Sequence, residues 1–143
     1  MNVIRIEDYW MGRDVLYPTA MSPAIENEAY RTVELANKLL ETAGLHGVIL
    51  PDHPTNHSPV SSGWRPPQVN SNTPNAAPNS KHMLGKAIDL YDPDGDLDNW
   101  LMTDFGIACL EALGLWIEHP ACTKSYTHIQ TVPPGSNKRV FWP

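Results

Sequence analysis

Apolar residues recur every three or four positions in two stretches of the chain, which predicts two amphipathic helices. The first helix is expected over residues 22–43. Ser22 is a good N-cap, Pro23 fits the first helical position, and Gly44 is a good terminator. The second helix is expected over residues 97–113. Its apolar stripe consists of Leu97, Leu101, Phe105, Ala108 and Ala112.

Shorter apolar runs between proline, glycine and asparagine residues predict the strands of a small antiparallel sheet. Alternation along residues 86–91 points Asp89 away from the face that carries Ile88 and Leu90. The run 125–132 places Tyr126, His128 and Gln130 on one face. Further strands are expected at residues 47–50, 60–65 and 115–118. The two helices would cover one face of this sheet, so the predicted fold class is α+β.

Composition narrows the class of protein. A chain of 143 residues suggests a single domain, 1–143, and its 41% hydrophobic and 18% charged residues favour a globular protein over a disordered one. The net charge of −6 argues against nucleic acid or an anionic membrane surface as the main partner. No apolar run is long enough to span a membrane, the first residues lack a signal-peptide pattern, and we expect a monomer.

The strongest chemical signal lies between Ser80 and Asp89. His82 and Asp89 are types of side chain that bind zinc, and Gly85 between them would let the backbone pass close to another segment. Pro66 holds Arg65 extended, and an arginine fork suits a carboxylate or a polarised carbonyl. Taken alone, these residues are more typical of a polar surface loop than of a site, and only the neighbouring segments favour a site.

Two other polar patterns are weaker. His53 and His57 are four residues apart, but the neighbouring prolines prevent the helix that would pair them, so two exposed loop histidines are expected. Residues 92–96 begin like a calcium loop, but the twelfth position is Thr103, so a turn leading to a helix cap is expected instead. The aromatic residues of the N-terminal arm, residues 1–21, are expected to pack against the core.

Three segments together resemble a known family. They are S-G-W-R at 62–65, S-K-H-M-L-G-K-A-I-D at 80–89, and W-I-E at 116–118 followed by Y-T-H-I-Q at 126–130. This set is similar to the zinc D-Ala-D-Ala carboxypeptidases and peptidoglycan endopeptidases that share a fold with hedgehog signalling domains. The resemblance runs from Val60 to the end of the chain and is closest to the phage-borne branch. It implies a location in the host cytoplasm with release to the cell wall, or in the phage virion.

The resemblance also implies roles for individual residues. His82, Asp89 and His128 would bind zinc and leave a fourth position open, which is the pattern of a catalytic site. Ser80 would hold the loop at His82. The residues expected to contact substrate are Arg65, Ser80, Tyr126 and Gln130.

The general base is where this chain departs from the family pattern. Many members carry an acid three residues before the second histidine, and here that residue is Ser125. The hedgehog-like variant carries the acid at the end of the preceding strand, which selects Glu118. His119 is the alternative base, and an exposed strand-end carboxylate without a role is the alternative for Glu118.

The resemblance implies a zinc-dependent peptidase that cuts stem peptides or cross-links of bacterial peptidoglycan. A dipeptidase acting on a small soluble D-Ala-D-Ala substrate would differ only in how closed its cleft is. A different class of protein stays open as well: a non-catalytic zinc-binding structural or binding module, for example a phage tail component. The missing acid before His128 favours that alternative.

Overall fold

The sheet is built from strands that lie far apart in the sequence. The computed structural model describes residues 3–143. Its strands are β1 Val60–Ser62, β2 Ala87–Tyr91, β3 Trp116–Glu118, β4 Tyr126–Gln130 and β5 Val140–Phe141. Its α-helices are α1 Ile6–Trp10, α2 Arg13–Leu16, α3 Pro23–Leu45, α4 Pro67–Ser71, α5 Asp96–Leu101 and α6 Asp104–Leu113. Short 3-10 helices cover Pro18–Ala20, Lys81–Leu84 and Pro120–Cys122.

The five strands form one sheet in the order β1-β2-β4-β3-β5. The fold class α+β is confirmed, but the sheet is mixed and not purely antiparallel, because β5 runs parallel to β3. The chain reverses after β4 and passes beyond β3 to reach the free edge. A strand that reverses relative to β4 and lies outside β3 must run parallel to β3, since β3 and β4 are themselves antiparallel.

Helix α3 confirms the first predicted helix and packs against β2. The hydroxyl of Ser22 accepts a hydrogen bond from the backbone N–H of Ile25 at 3.2 Å, as an N-cap does. Gly85 has a φ of +76°, and a Cβ there would lie 2.7 Å from the carbonyl oxygen of Ile25. Thr32 donates to the Gly85 carbonyl at 2.7 Å. The expected close passage of the backbone at Gly85 is therefore confirmed, and α3 is the segment it approaches.

The prediction of a single helix over residues 97–113 is wrong. Two helices, α5 and α6, occupy this stretch, because Thr103 acts as the N-cap of α6 and accepts from the Gly106 N–H at 3.2 Å. Its hydroxyl also donates to the Trp100 carbonyl at 2.6 Å, which closes the end of α5. Phe105 turns outward and is 69% exposed, so it does not belong to a continuous apolar stripe.

Two strand predictions also need correction. No strand forms at residues 47–50, because the N–H groups of Gly47 and Val48 bond to carbonyls at the end of α3. Strand β1 stops at Ser62, short of residue 65. The N–H of Trp64 bonds to the Tyr9 carbonyl at 3.0 Å and that of Arg65 to the His82 carbonyl at 3.2 Å, so neither continues the ladder with β2.

The described part of the N-terminal arm packs behind this region, as expected. Tyr9 is fully buried, and its hydroxyl donates to the Ala87 carbonyl of β2 at 2.8 Å. Arg13 donates to the Trp64 carbonyl at 2.8 Å. Residues 1 and 2, with which the predicted arm begins, lie outside the described residues. None of the helices in residues 3–143 has the length and hydrophobicity needed to cross a membrane.

Candidate metal centre

One row of residues crosses the sheet and carries most of the polar chemistry. Asp89 of β2 pairs with Ser62 of β1 on one side and with His128 of β4 on the other. The register of β3 against β4, extended by one pair, sets Glu118 opposite His128, and Glu118 pairs with Phe141 of β5. Residues directly opposite each other share a face of the sheet with Cβ atoms about 5 Å apart. The row therefore places Asp89, His128 and Glu118 side by side.

His82 reaches this row from outside the sheet. It lies in the 3-10 helix Lys81–Leu84, whose N-cap Ser80 accepts from the His82 N–H at 3.2 Å. Ser80 thus holds the loop at His82, as expected. The ring Nδ1 lies 2.8 Å from the Gly63 carbonyl oxygen. A carbonyl oxygen only accepts, so Nδ1 carries the proton and Nε2 presents its lone pair to Asp89, 3.2 Å from Oδ1.

The three expected metal ligands converge on one point. Asp89 Oδ1 lies 3.2 Å from His82 Nε2 and 2.9 Å from His128 Nδ1, and the ligand atoms all lie within 4.8 Å of one another. His82 and Asp89 are almost completely buried, with 2% and 6% exposed. Two imidazole nitrogens and a carboxylate oxygen form a donor set that suits zinc. The group is able to hold a metal ion.

The remaining polar atom of each ligand is held by the protein. Arg65 donates from Nη2 to Asp89 Oδ2 at 3.2 Å and from Nε to the Ser62 hydroxyl at 3.0 Å. His128 Nε2 lies 3.0 Å from the side-chain oxygen of Gln130. Partners of this kind orient metal ligands, and an acceptor at the far nitrogen of an imidazole also raises the basicity of the ring. The ligands are therefore pre-oriented.

The electrostatics favour the protonation states that bind metal for two of the three ligands. Burial lowers the pKa of His82, so its ring is neutral at ordinary pH. Burial acts to raise the pKa of Asp89, but the electrostatic interactions with the rings of His82 and His128 outweigh burial and lower this pKa, so the carboxylate is ionised. Burial lowers the pKa of His128, but the hydrogen bond that its ring donates to Asp89 and the negative charge of that carboxylate outweigh burial, so this pKa is raised. A metal ion binding at Nδ1 must displace a proton from His128.

A cleft of about 550 Å³ opens above the three ligands. Residues 73–81 form one wall, and Phe141 and Pro143 lie at another. The residues expected to contact substrate all line it, and they are Arg65, Ser80, Tyr126 and Gln130. Burial raises the pKa of Tyr126 to about 12, with a further increase from Asp89 and Glu118, so its hydroxyl stays protonated and can donate. The ligand cluster and these four residues therefore line one and the same cleft.

The structure places the two candidate bases differently. Glu118 is half-buried and lines the cleft. Burial raises the pKa of its carboxyl, the charge of His128 lowers it, and the charge of Asp89 raises it again, with a net increase. His119 is not among the residues that line the cleft. Its Nδ1 accepts from the Ala121 N–H at 3.1 Å, and its ring stacks on Trp142 at 4.1 Å between centroids.

The weaker polar patterns serve structure. His57 is exposed as expected, but His53 is partly buried, and its Nδ1 accepts from the N–H of Thr55 at 3.2 Å. Neither belongs to the metal-binding group found in residues 3–143. The turn at residues 92–96 leads to a helix cap as expected: Asp92 accepts from the N–H groups of Leu97 at 3.1 Å and Asp98 at 2.9 Å, in the first turn of α5.

The sequence did not indicate the orienting contact at Gln130. Its side-chain N–H donates to the Val132 carbonyl at 2.9 Å, and only the even spacing from His128 along a strand could have suggested that the two side chains meet.

No protein-family model, curated protein or solved structure matches the chain. What can be said of function therefore rests on the sequence motifs and on the geometry of this site.

Proposed function

We propose that the chain is a zinc-dependent peptidase with the hedgehog/DD-peptidase type of fold, acting on the peptide part of bacterial peptidoglycan. The observation that carries this proposal is the row across the sheet. It sets a carboxylate with a raised pKa, Glu118, beside a three-residue metal-binding group at the floor of an open cleft. A site that served structure alone would normally close the metal off with a fourth protein ligand.

The residues of the site divide the chemistry of peptide hydrolysis among them. His82, Asp89 and His128 hold the zinc ion, which when bound polarises a carbonyl oxygen and makes a water molecule more acidic. Glu118 accepts the proton of the attacking water and returns it to the leaving amine. The guanidinium of Arg65 donates to the carbonyl oxygen as negative charge develops on it.

The contacts of Arg65 support that role. Its side chain is only 12% exposed and is fixed by Ser62 and Asp89 through Nε and Nη2. In the described residues, no hydrogen-bond acceptor is found for Nη1, and the side chain lines the cleft. A fixed donor in a partly dry cleft stabilises developing charge without having to reorganise during the reaction.

The choice of peptidoglycan peptides as substrate, and of zinc as the metal, rests on the sequence resemblance together with the donor set. The resemblance leaves stem peptides, cross-links and a small soluble dipeptide open, and the cleft of about 550 Å³ is where any of them would bind. We further propose a monomer that acts from the host cytoplasm after release to the cell wall, or from the virion of a phage.

Digestion of defined muropeptides tests the proposal. The purified protein loaded with zinc should release a shorter peptide from them, identified by mass spectrometry, and a chelator should abolish the release. His82→Ala should bind no zinc and show no cleavage, because it removes a buried ligand. Stoichiometric zinc on the parent with no cleavage of several wall types would contradict the peptidase and support a non-catalytic structural or binding module.

A further inference from the structure

We propose that Gln130 is a positioning residue that fixes His128 so that Nδ1, and not Nε2, faces the metal. This inference rests on the metal-binding part of the proposed function and is independent of peptide hydrolysis. It gives Gln130 a role inside the metal centre, where the sequence suggested contact with substrate.

The direction of the Gln130 amide follows from its second partner. Its side-chain nitrogen lies 2.9 Å from the Val132 carbonyl oxygen, which can only accept. The NH₂ group must therefore face Val132, and the side-chain oxygen faces His128 Nε2 at 3.0 Å. An oxygen in that place requires a proton on Nε2. In the neutral ring the lone pair is then on Nδ1, 2.9 Å from Asp89 Oδ1.

The strand makes this contact possible. His128 and Gln130 are two residues apart on β4, so their side chains project from the same face. Gln130 is 5% exposed, so water does not compete for the hydrogen bond. The other histidine is fixed in the same manner by the backbone carbonyl of Gly63. Of these two orienting acceptors, only the one at Gln130 is a side chain that substitution can remove.

Loss of the Gln130 side-chain oxygen would remove the hydrogen-bond acceptor that faces His128 Nε2. An apolar side chain at position 130 would leave the N–H of Nε2 without a partner, and the ring would lose the contact that holds its orientation. The ring could then turn or shift its proton to Nδ1, where Asp89 also accepts. Partners of this kind typically change metal affinity by about 10–100-fold. Gln130→Met, which keeps the length and shape of the side chain, should weaken zinc binding within that range.

The experiment measures zinc affinity by competition with a chromophoric chelator, and the absorption spectrum of the cobalt-substituted protein. Gln130→Met should raise the zinc Kd about 10–100-fold and alter the cobalt spectrum, since the ligand field changes. Gln130→Glu, which keeps an oxygen within reach of Nε2, should recover most of the affinity. Gln68→Met makes the same chemical change at an exposed position and should leave both measurements unchanged.

The outcomes separate this inference from the proposed function. A parent protein that binds no zinc overturns the metal site and Gln130's role with it, whereas zinc without cleavage overturns only the peptidase. A Gln130→Met protein with a zinc Kd within twofold of the parent and an unchanged cobalt spectrum overturns the role of Gln130. If that variant does not fold, nitrogen NMR of the zinc-loaded parent decides. Metal at His128 Nδ1 with a proton on Nε2 supports the inference, and metal at Nε2 overturns it.

Discussion

Glu118 owes its place in the site to strand register. A shift of one residue in the pairing of β3 with β4 would turn its side chain to the opposite face, away from His128. Ile117 and Ile129, which pair across these strands, are almost completely buried and hold the register. The position of the carboxylate is thus a consequence of core packing. Under the proposed assignment, this acid ten residues before His128 takes the role that many members of the similar family give to an acid three residues before it.

Glu118→Gln should keep zinc bound and lower turnover on muropeptides by about 10²–10⁴, the usual contribution of a positioned base. Because the raised pKa of Glu118 must be exceeded before the group can accept a proton, activity of the parent should fall as pH decreases through an acidic limb above the ordinary range of a glutamate. That limb belongs to the coupled site as a whole. Steady-state kinetics from pH 4 to pH 8 measures both effects.

His119→Ala is the matched control for Glu118→Gln, since it changes the neighbouring residue outside the cleft. It should alter turnover little, because its ring is engaged with Trp142 and the Ala121 N–H. A large loss in His119→Ala combined with little loss in Glu118→Gln would transfer the role of base to the histidine.

The candidate ligand residues could be predicted because they lie in the sequence motifs that resemble the peptidase family. Strand alternation indicates the direction of Asp89, and the motif around His82 specifies its spacing. The role of Gln130 could not be predicted, since it depends on the direction of the Val132 carbonyl beyond the end of β4. The partial burial of His53 against Tyr91 is a tertiary contact of the same kind, with the two ring centroids 4.9 Å apart.

At the scale of elements, two buried carboxyl groups join the start of α5 to β4 and to the segment just before it. Asp92 accepts from the first turn of α5 and from the Thr127 hydroxyl at 3.1 Å. Asp98 accepts from the Thr123 hydroxyl at 3.3 Å, and its other oxygen is buried with no hydrogen-bond partner among residues 3–143. Burial, and to a lesser extent the charge of Asp92, raises the pKa of Asp98 to about 6.

Asp98→Asn should raise the melting temperature at pH 7–8 by about 2–4 °C, in the range that 1 kcal/mol produces in a domain of this size. The pKa of Asp98 is about 6 in the folded state and lower in the unfolded state, so the folded state binds more protons in between. The stability of the parent therefore falls as pH rises from about 4 to 6 and stays lower above that window. Asparagine does not ionise and avoids this loss.

Thermal unfolding of both proteins from pH 4 to pH 8 measures the difference, which should shrink towards pH 4. Asp94→Asn, at an exposed position of the same turn, should show no such pH dependence. An equal difference between Asp98→Asn and the parent at every pH would show that the charge of Asp98 is not the cause.

The elements were predicted where local signals were sufficient. Helix α3 has a cap, a proline at its first position and a continuous stripe, so its extent followed from sequence to within two residues at its end. The break between α5 and α6 could not be predicted, because Thr103 lies between two helical segments. Only its hydrogen bonds to the Trp100 carbonyl and from the Gly106 N–H show that it ends α5 and caps α6. The apolar run at 47–50 predicts a strand, but carbonyl groups at the end of α3 accept the hydrogen bonds of its first two N–H groups.

For the whole molecule, the sequence predicted the α+β class but not the full topology. The sheet is mixed because β5 lies beside β3 and parallel to it. A strand of only two residues carries little sequence information about its position in the sheet. The arm that contains Tyr9 packs against the core as predicted, but the sequence motifs begin only at Val60 and do not indicate its bonds near the site. Its bonds to Ala87 and Trp64 make it part of the layer behind the ligands. The structural unit therefore extends well beyond the segments that carry the resemblance.

The row across the sheet has a consequence for the rates of folding and unfolding. Asp89 and His128 are separated by 39 residues and meet only when β2 pairs with β4. Contacts between distant parts of a chain are slow to form, so we expect the complete ligand set to assemble after the main barrier to folding. An interaction that is absent from the transition state slows unfolding and hardly changes the folding rate.

Bound zinc should therefore stabilise the folded state kinetically, by slowing its unfolding. Stopped-flow folding and unfolding, with zinc in excess or with a chelator, should show an unfolding rate lower by at least tenfold with zinc and a folding rate within about twofold. Folding accelerated by zinc to the same extent would mean that the ligands assemble early. The bound metal would then set the lifetime of the folded state.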